Sequence, residues 1–386
     1  MYFLSKKFLL ISVSLAMSLL IASESFGATD LSPATAGRIH TGVNQLYNLN
    51  FDQAENIFSQ ITVTESNHPI GYVYLALTSI GRTLTTGTTD AGVEQFRAYT
   101  EKAVKQALSS KSSEKAPWNL YYSGVAFILK SYSEGKQQNY IDSLRWLKRG
   151  ISLINRSCKN SKTSADAKMF LGSYQYFTSR MPWYFRFFAS LLVEPANQNV
   201  GIENLEYAVS HSEFGRVESE MLLSIAYLWD NQYYTSLSFT EKLLTEHPGN
   251  YCFGFLKQEI LLRQREYKAA LNCATNQLIR IEYDKRKEIN GLIANQYYML
   301  GLIYTKTKRY DEALKNFAFT FNFAENKPYL KAWAILRQGT VYDLKEQYSR
   351  ARSCYAVIKT IHHESDLLDA YGQKFAAVPY RGEPLE

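Results

Sequence analysis

Six histidines, four cysteines and one run of aromatic residues are the side chains in this 386-residue sequence from which chemistry would have to be built. Of the histidines only His362 and His363 adjoin, beside Glu364 and Asp366. Neighbours on a helix point about 100° apart, so both imidazoles do not face one metal. His362 with Asp366 would supply two ligands, short of a metal site, and the cluster reads as an exposed helix end. The cysteines, Cys158, Cys252, Cys273 and Cys354, form no CxxC pair and no metal-ligand spacing. No GxSxG elbow, HExxH, P-loop or GxGxxG occurs. No catalytic residue, metal or cofactor is therefore expected.

The aromatic run lies in 181–192, where Trp183, Tyr184, Phe185, Phe187 and Phe188 follow Pro182. That many rings in so short a segment cannot all face one core. The segment is either an insertion packed across a groove or between helices, or an exposed patch of Trp183, Tyr184, Phe187 and Phe188. An exposed patch would dock a partner. Arg186 is its only charge, so attraction to anionic lipid would be weak and a protein partner fits better.

The elements that must hold these residues are helical. There are 29 Tyr and 21 Phe against only 9 Pro, and hydrophobic residues make up 46%. Few prolines suit long helices, and many tyrosines suit helix interfaces where the ring is buried and the hydroxyl reaches the rim. Net charge is +7. The excess reads as spread along the chain, with clusters such as Arg280, Lys285, Arg286 and Lys287 alternating with Glu282, Asp284 and Glu288. Interleaved signs describe a solvated surface, so nucleic acid is not an expected partner.

Residues 1–27 have the parts of a secretory signal: Lys6 and Lys7, an uncharged stretch from Phe8 to Ala22, and small residues at Ser25 and Gly27. The stretch is shorter than the roughly 20 residues that span a bilayer. Cleavage near Gly27 and a soluble periplasmic or secreted chain are expected, and export would permit disulfides.

A repeat organises the rest. From Ala294, Tyr297, Leu300, Gly301 and Tyr304 mark one helix; after Lys308–Arg309, Tyr310, Ala313 and Phe317 mark the next. Gly301 and Ala313 are small where two helices would cross closely. Leu223, Tyr227, Tyr233 and Ser236 keep the same frame, as do Tyr251, Tyr267 and Ala270 one period later. Gly339, Tyr342, Tyr348, Ala351 and Tyr355 follow, and Gly42, Phe51, Ala54 and Phe58 near the N-terminus. The stretches 69–110, 117–155 and 164–211 are helical but carry insertions, with Gly124, Tyr140 and Leu147 in one stretched pair. About eight helix pairs are expected.

These residues resemble the tetratricopeptide repeat (TPR) family, loosely over 35–365 and well over 217–365. Phe170–Phe177, Met181-Pro182-Trp183 and Gly201–Leu205 resemble a pattern in poorly characterised exported bacterial members. Thr320 and Ser236 depart from the family's usual Ala. The resemblance implies an all-α, right-handed superhelical solenoid of antiparallel pairs. Its parts would be 28–211, irregular, with an aromatic insertion; 217–365, a regular array; and 366–386, a tail. It also implies a concave groove lined by the first helix of each pair. In this sequence those positions are Met221, Ile225 and Trp229; Phe255, Glu259 and Arg263; Asn295, Tyr298 and Lys306; then Trp333 and Asp343. Such a groove would hold a protein or peptide. Cys252 and Cys273, brought close across one pair, would permit a structural disulfide. The expected role is an exported, non-enzymatic scaffold. The alternatives are an enzyme with a non-standard site in 117–211, or a peripheral membrane-associated envelope protein.

Overall fold

A chain that runs up one helix and down the next needs a tight, repeatable stop between them. Here six such stops share one geometry. Leu49, Gln138, Asn231, Arg265, Lys308 and Glu346 all adopt φ between 59° and 65°, the left-handed conformation that closes a helix C-terminus. The next backbone N–H donates to the carbonyl five residues back each time, as from Arg309 to Tyr304 at 2.9 Å. The residue after that begins the return helix and is always aromatic: Phe51, Tyr140, Tyr233, Tyr267, Tyr310 or Tyr348.

The computed structural model describes residues 31–87, 89–109, 116–183, 186, 195–361, 363 and 365–385. The expected leader, residues 1–27, lies outside them. The described residues contain seventeen α-helices, one 3₁₀ turn and no strand, an all-α array of consecutive antiparallel pairs.

The chain divides into two compact units. The first comprises residues up to Arg82 and Asp90–Asn250. It holds α1 (Pro33–Tyr47), α2 (Phe51–Thr64), most of α3 (Ile70–Thr86), α4 (Asp90–Ser109), α5 (Pro117–Lys136), α6 (Tyr140–Ser157), α7 (Ser164–Ser179), α8 (Gln198–His211), α9 (Arg216–Trp229) and α10 (Tyr233–Glu246). The second comprises Thr83–Thr89 and Tyr251–Glu386. It holds α11 (Tyr251–Arg263), α12 (Tyr267–Tyr283), the 3₁₀ turn Lys287–Leu292, α13 (Ile293–Lys306), α14 (Tyr310–Phe323), α15 (Pro328–Leu344), α16 (Tyr348–Ile358) and α17 (Asp366–Ala377). Among the described residues the pairs number eight, with α17 over. The division falls at Asn250, one pair beyond the change of regularity expected at 211–217.

Within a pair, three positions set the crossing. One residue of the first helix meets residues 12 and 16 places later on the second. Where the first is Gly42, Gly301 or Gly339, the last is Phe58, Phe317 or Tyr355, and a methyl group on Gly301 would lie 2.5 Å from the Phe317 ring. Where the first is Ser224 the last is Thr240, and where it is Gln258 the last is Ala274. Large faces small at the glycine crossings and at Gln258, whereas Ser224 and Thr240 are both small and meet hydroxyl to hydroxyl at 2.6 Å. The middle position is Ala54, Ala270, Ala313 or Ala351, all fully buried. In two pairs a serine replaces that alanine and satisfies itself locally: Ser236 Oγ donates to the Ser224 carbonyl at 2.7 Å, and Ser143 Oγ to that of Ser131 at 2.8 Å.

Two expectations are corrected. Residues 366–386, expected as a tail after the array, pack onto it: Leu368 and Phe375 of α17 are buried and the Tyr380 N–H donates to Asp343 at 2.9 Å. The α5–α6 pair, expected to be stretched, keeps the common frame through Ser131, Gln138, Tyr140 and Ser143. The irregular pairs are α3–α4 and α7–α8. In the latter, α7 and α8 touch backbone to backbone at Gly172 and Gly201.

Candidate binding face of the A helices

In the second unit the first helix of each pair, α11, α13 and α15, lies beside the next. Polar contacts join them, and these are buried: Gln258, Gln296 and Tyr298 are fully buried, and Trp333 and Arg337 nearly so. Gln258 of α11 and Gln296 of α13 exchange amide hydrogen bonds, 2.8 Å from Gln296 Nε2 to Gln258 Oε1 and 3.4 Å in return. Between α13 and α15, Arg337 Nε donates to the Tyr298 hydroxyl at 3.4 Å. The Arg337 guanidinium also lies 5.4 Å from the centroid of Trp333, within cation–π range. Trp333 is flanked edge-on by Tyr329 and by Tyr371 of α17.

Lys327, just before α15, completes this face. Its ammonium donates to three oxygens: the Thr85 carbonyl at 2.8 Å, the Gly291 carbonyl at 2.8 Å and Asn295 Oδ1 at 2.7 Å. Thr85 lies in the last turn of α3, where carbonyls lack helical partners and the helix dipole is negative. Burial brings the Lys327 ammonium down to about 8.

Of the residues expected in a groove, Asn295, Tyr298 and Trp333 belong to this face. Phe255 is buried on α11. Arg263 is bound by Glu259 one turn earlier, at 2.7 Å. Lys306 is exposed at the end of α13. Asp343 is a structural acceptor, taken by the Tyr355 hydroxyl at 2.6 Å as well as by Tyr380. Met221 and Trp229 belong to the first unit, where the Trp229 ring stands edge-on to Phe177 at 5.1 Å. Gln258, Gln296, Lys327 and Arg337 were not expected. The signal for Gln258 is its large amide at the crossing position that holds Gly or Ser in the other framed pairs.

The first unit holds a separate buried polar set. The Tyr47 hydroxyl donates to Glu218, the Tyr74 and Tyr122 hydroxyls lie 3.0 Å apart, and Trp118 and Tyr121 are fully buried beside them. Asp166 of α7 accepts from the N–H groups of Glu213 and Phe214 at 3.0 and 2.9 Å. It thereby serves the entrance to α9 from another helix, the task an N-cap residue performs locally. Burial pushes its carboxyl up to about 7, against the backbone donors that lower it.

Cys158, Cys252, Cys273 and Cys354 are all free thiols, so the bridge between Cys252 and Cys273 is not formed. Trp183 is 73% exposed; Tyr184, Phe187 and Phe188 lie outside the described residues, as does His362. The His363 ring accepts from the Ser365 N–H at 3.2 Å. Among the described residues no three His, Cys, Asp or Glu side chains gather as a metal site, and no helix is long and apolar enough to cross a membrane.

No family model matches the chain, and no curated protein matches it. Among solved structures it is similar to MamA, residues 41 to the end, from Desulfovibrio magneticus RS-1, at 17% identity over 44% of this chain and 87% of that one, with a TM-score of 0.34. It is similar to the TPR domain of P58(IPK), at 14% identity over 89% and 97%, TM-score 0.25. A third similarity is to aspartyl phosphate phosphatase F from Bacillus subtilis, at 11% identity over 94% and 100%, TM-score 0.41. Likeness of this degree carries nothing about what the chain binds.

Proposed function

We propose that the chain is an exported protein-interaction scaffold that holds a peptide or partner surface on the A-helix face of its second unit. The observation that carries this is the row of side chains joining three successive helices, Gln258 to Gln296 and Tyr298 to Arg337, with Trp333 beside it. Buried in this way, the row holds the three helices in register, so that their exposed ends, Lys306 among them, present one preorganised surface.

Photo-crosslinking tests the reading. A benzophenone residue at Lys306, exposed at the end of α13, is expected to capture a discrete envelope protein. Gln296→Ala should reduce that capture about tenfold with helicity unchanged. Capture that is absent, or indifferent to Gln296→Ala and Arg337→Gln, refutes the assignment of this face. The exported part has its own check: mass spectrometry of the chain from a bacterial envelope is expected to find an N-terminus near residue 28, and an intact Met1 there would refute it.

A further inference from the structure

The charge of this chain is unevenly spread along it. Residues 136–162 contain seven lysines and arginines and a single carboxylate, Asp142, a net +6 in one short segment, whereas 163–250 sum to −5 and the much longer 251–386 to +6. The short segment is α6 with its flanking turns, and several of its exposed residues line up. Ile141, Leu144, Arg145, Lys148, Ser152 and Asn155 are all exposed, and helical spacing keeps them on one side over roughly 21 Å, with Lys159 exposed in the turn that follows. Asp142 is taken by Arg145 at 2.9 Å. Lys148, Lys159 and Lys162 form no ion pair among the described residues.

The stripe also has an apolar end. Tyr140 is 65% exposed, Ile141 69% and Leu144 44%, next to one another at the start of α6. Aliphatic side chains at one end and unpaired ammonium groups along the rest match one kind of partner surface. Bilayers of anionic lipid present phosphate to lysines and acyl chains to Ile141 and Leu144, and long lysine stems reach the headgroups from a helix lying in the interface. A nucleic acid would use the cations but gain nothing from Ile141 and Leu144, and its bases would need stacking rings along the stripe. We infer that the outer face of α6 and its flanking turns is a docking surface for anionic lipid, independent of what the A-helix face holds.

Vesicle flotation of the full chain tests this, with the ratio of binding to phosphatidylglycerol-containing vesicles over pure phosphatidylcholine as the readout. That ratio removes the charge-independent contribution of the apolar N-terminal stretch. Wild-type protein is expected to prefer anionic vesicles and to lose the preference as salt rises. The variant K148Q/K159Q/K162Q should lose about 100-fold of the preference. I141S/L144S should weaken anionic-vesicle binding about tenfold while keeping its salt dependence. All the altered residues are exposed, and circular dichroism checks that both variants fold. A K148Q/K159Q/K162Q protein that keeps the wild-type preference overturns the inference. So does an I141S/L144S protein that binds as wild type, because the stripe would then serve a polyanion without an apolar layer, such as nucleic acid or an acidic protein.

Discussion

Asp166 is a carboxyl group sealed inside the first unit with two backbone N–H donors, and its titration is pushed up to about 7. An acid held above its unfolded value near 3.9 binds its proton more tightly in the folded chain. Its contribution to stability is therefore full below about pH 4 and lost as pH rises through about 7. His68 and His247, lowered to about 3 and 4 by burial, act in the opposite sense below pH 6.5. Asp166→Asn leaves both histidines in place. Urea unfolding of the two proteins from about pH 4 to 8 should show that the difference in stability, wild type minus variant, falls by roughly 2 to 4 kcal/mol as pH rises. A pH-independent difference would refute the buried titration. Lys327 is the second informative residue. Lys327→Met removes three donors at once and strands the Asn295 oxygen and two carbonyls, which should destabilise the second unit by about 2–3 kcal/mol in thermal unfolding.

Helix pairs follow a rule that no single residue shows, since at the glycine crossings a large ring fills the space the glycine leaves. Gly301→Ala places a methyl against the Phe317 ring and should cost about 1–3 kcal/mol; adding Phe317→Leu should recover part of that loss, which a double-mutant cycle in urea would read. The turns give a prediction of opposite sign. Lys308 and Glu346 hold the left-handed conformation at a steric cost. Replacing either with glycine should raise stability by about 0.5–1 kcal/mol, because relief of strain outweighs the extra freedom of the unfolded chain. At this scale much was legible in the sequence. Gly301, Ala313 and Phe317 announce the crossing because their sizes differ so much. Ser131 and Ser143 were missed because two serines at a crossing look like surface polarity until their hydroxyls are seen bonding each other's helix. The Gln258–Gln296 bridge was missed for a different reason: it depends on how neighbouring A helices align, which the intervening 3₁₀ turn sets and no local pattern encodes.

For the molecule as a whole, energy in a repeat array passes chiefly between neighbours. Gly339→Ala should therefore raise amide hydrogen exchange across α13–α17 well before it reaches α1–α8, an asymmetry that mass spectrometry of deuterated peptides can follow. Equal acceleration in both units would mean that they unfold as one. The number of pairs was readable from composition and period. The +6 of residues 136–162 was equally readable, since seven basic residues and one carboxylate stand in one short run. Its consequence is physical. Residues 28–250 carry no net charge, +6 in 136–162 against −6 in the rest, so the first unit carries a permanent electric dipole, and a negative surface turns such a body before touching it. At low ionic strength the first unit should meet an anionic boundary with α6 foremost, oriented while still in solution, within a capture distance set by the roughly 10 Å screening length of the medium.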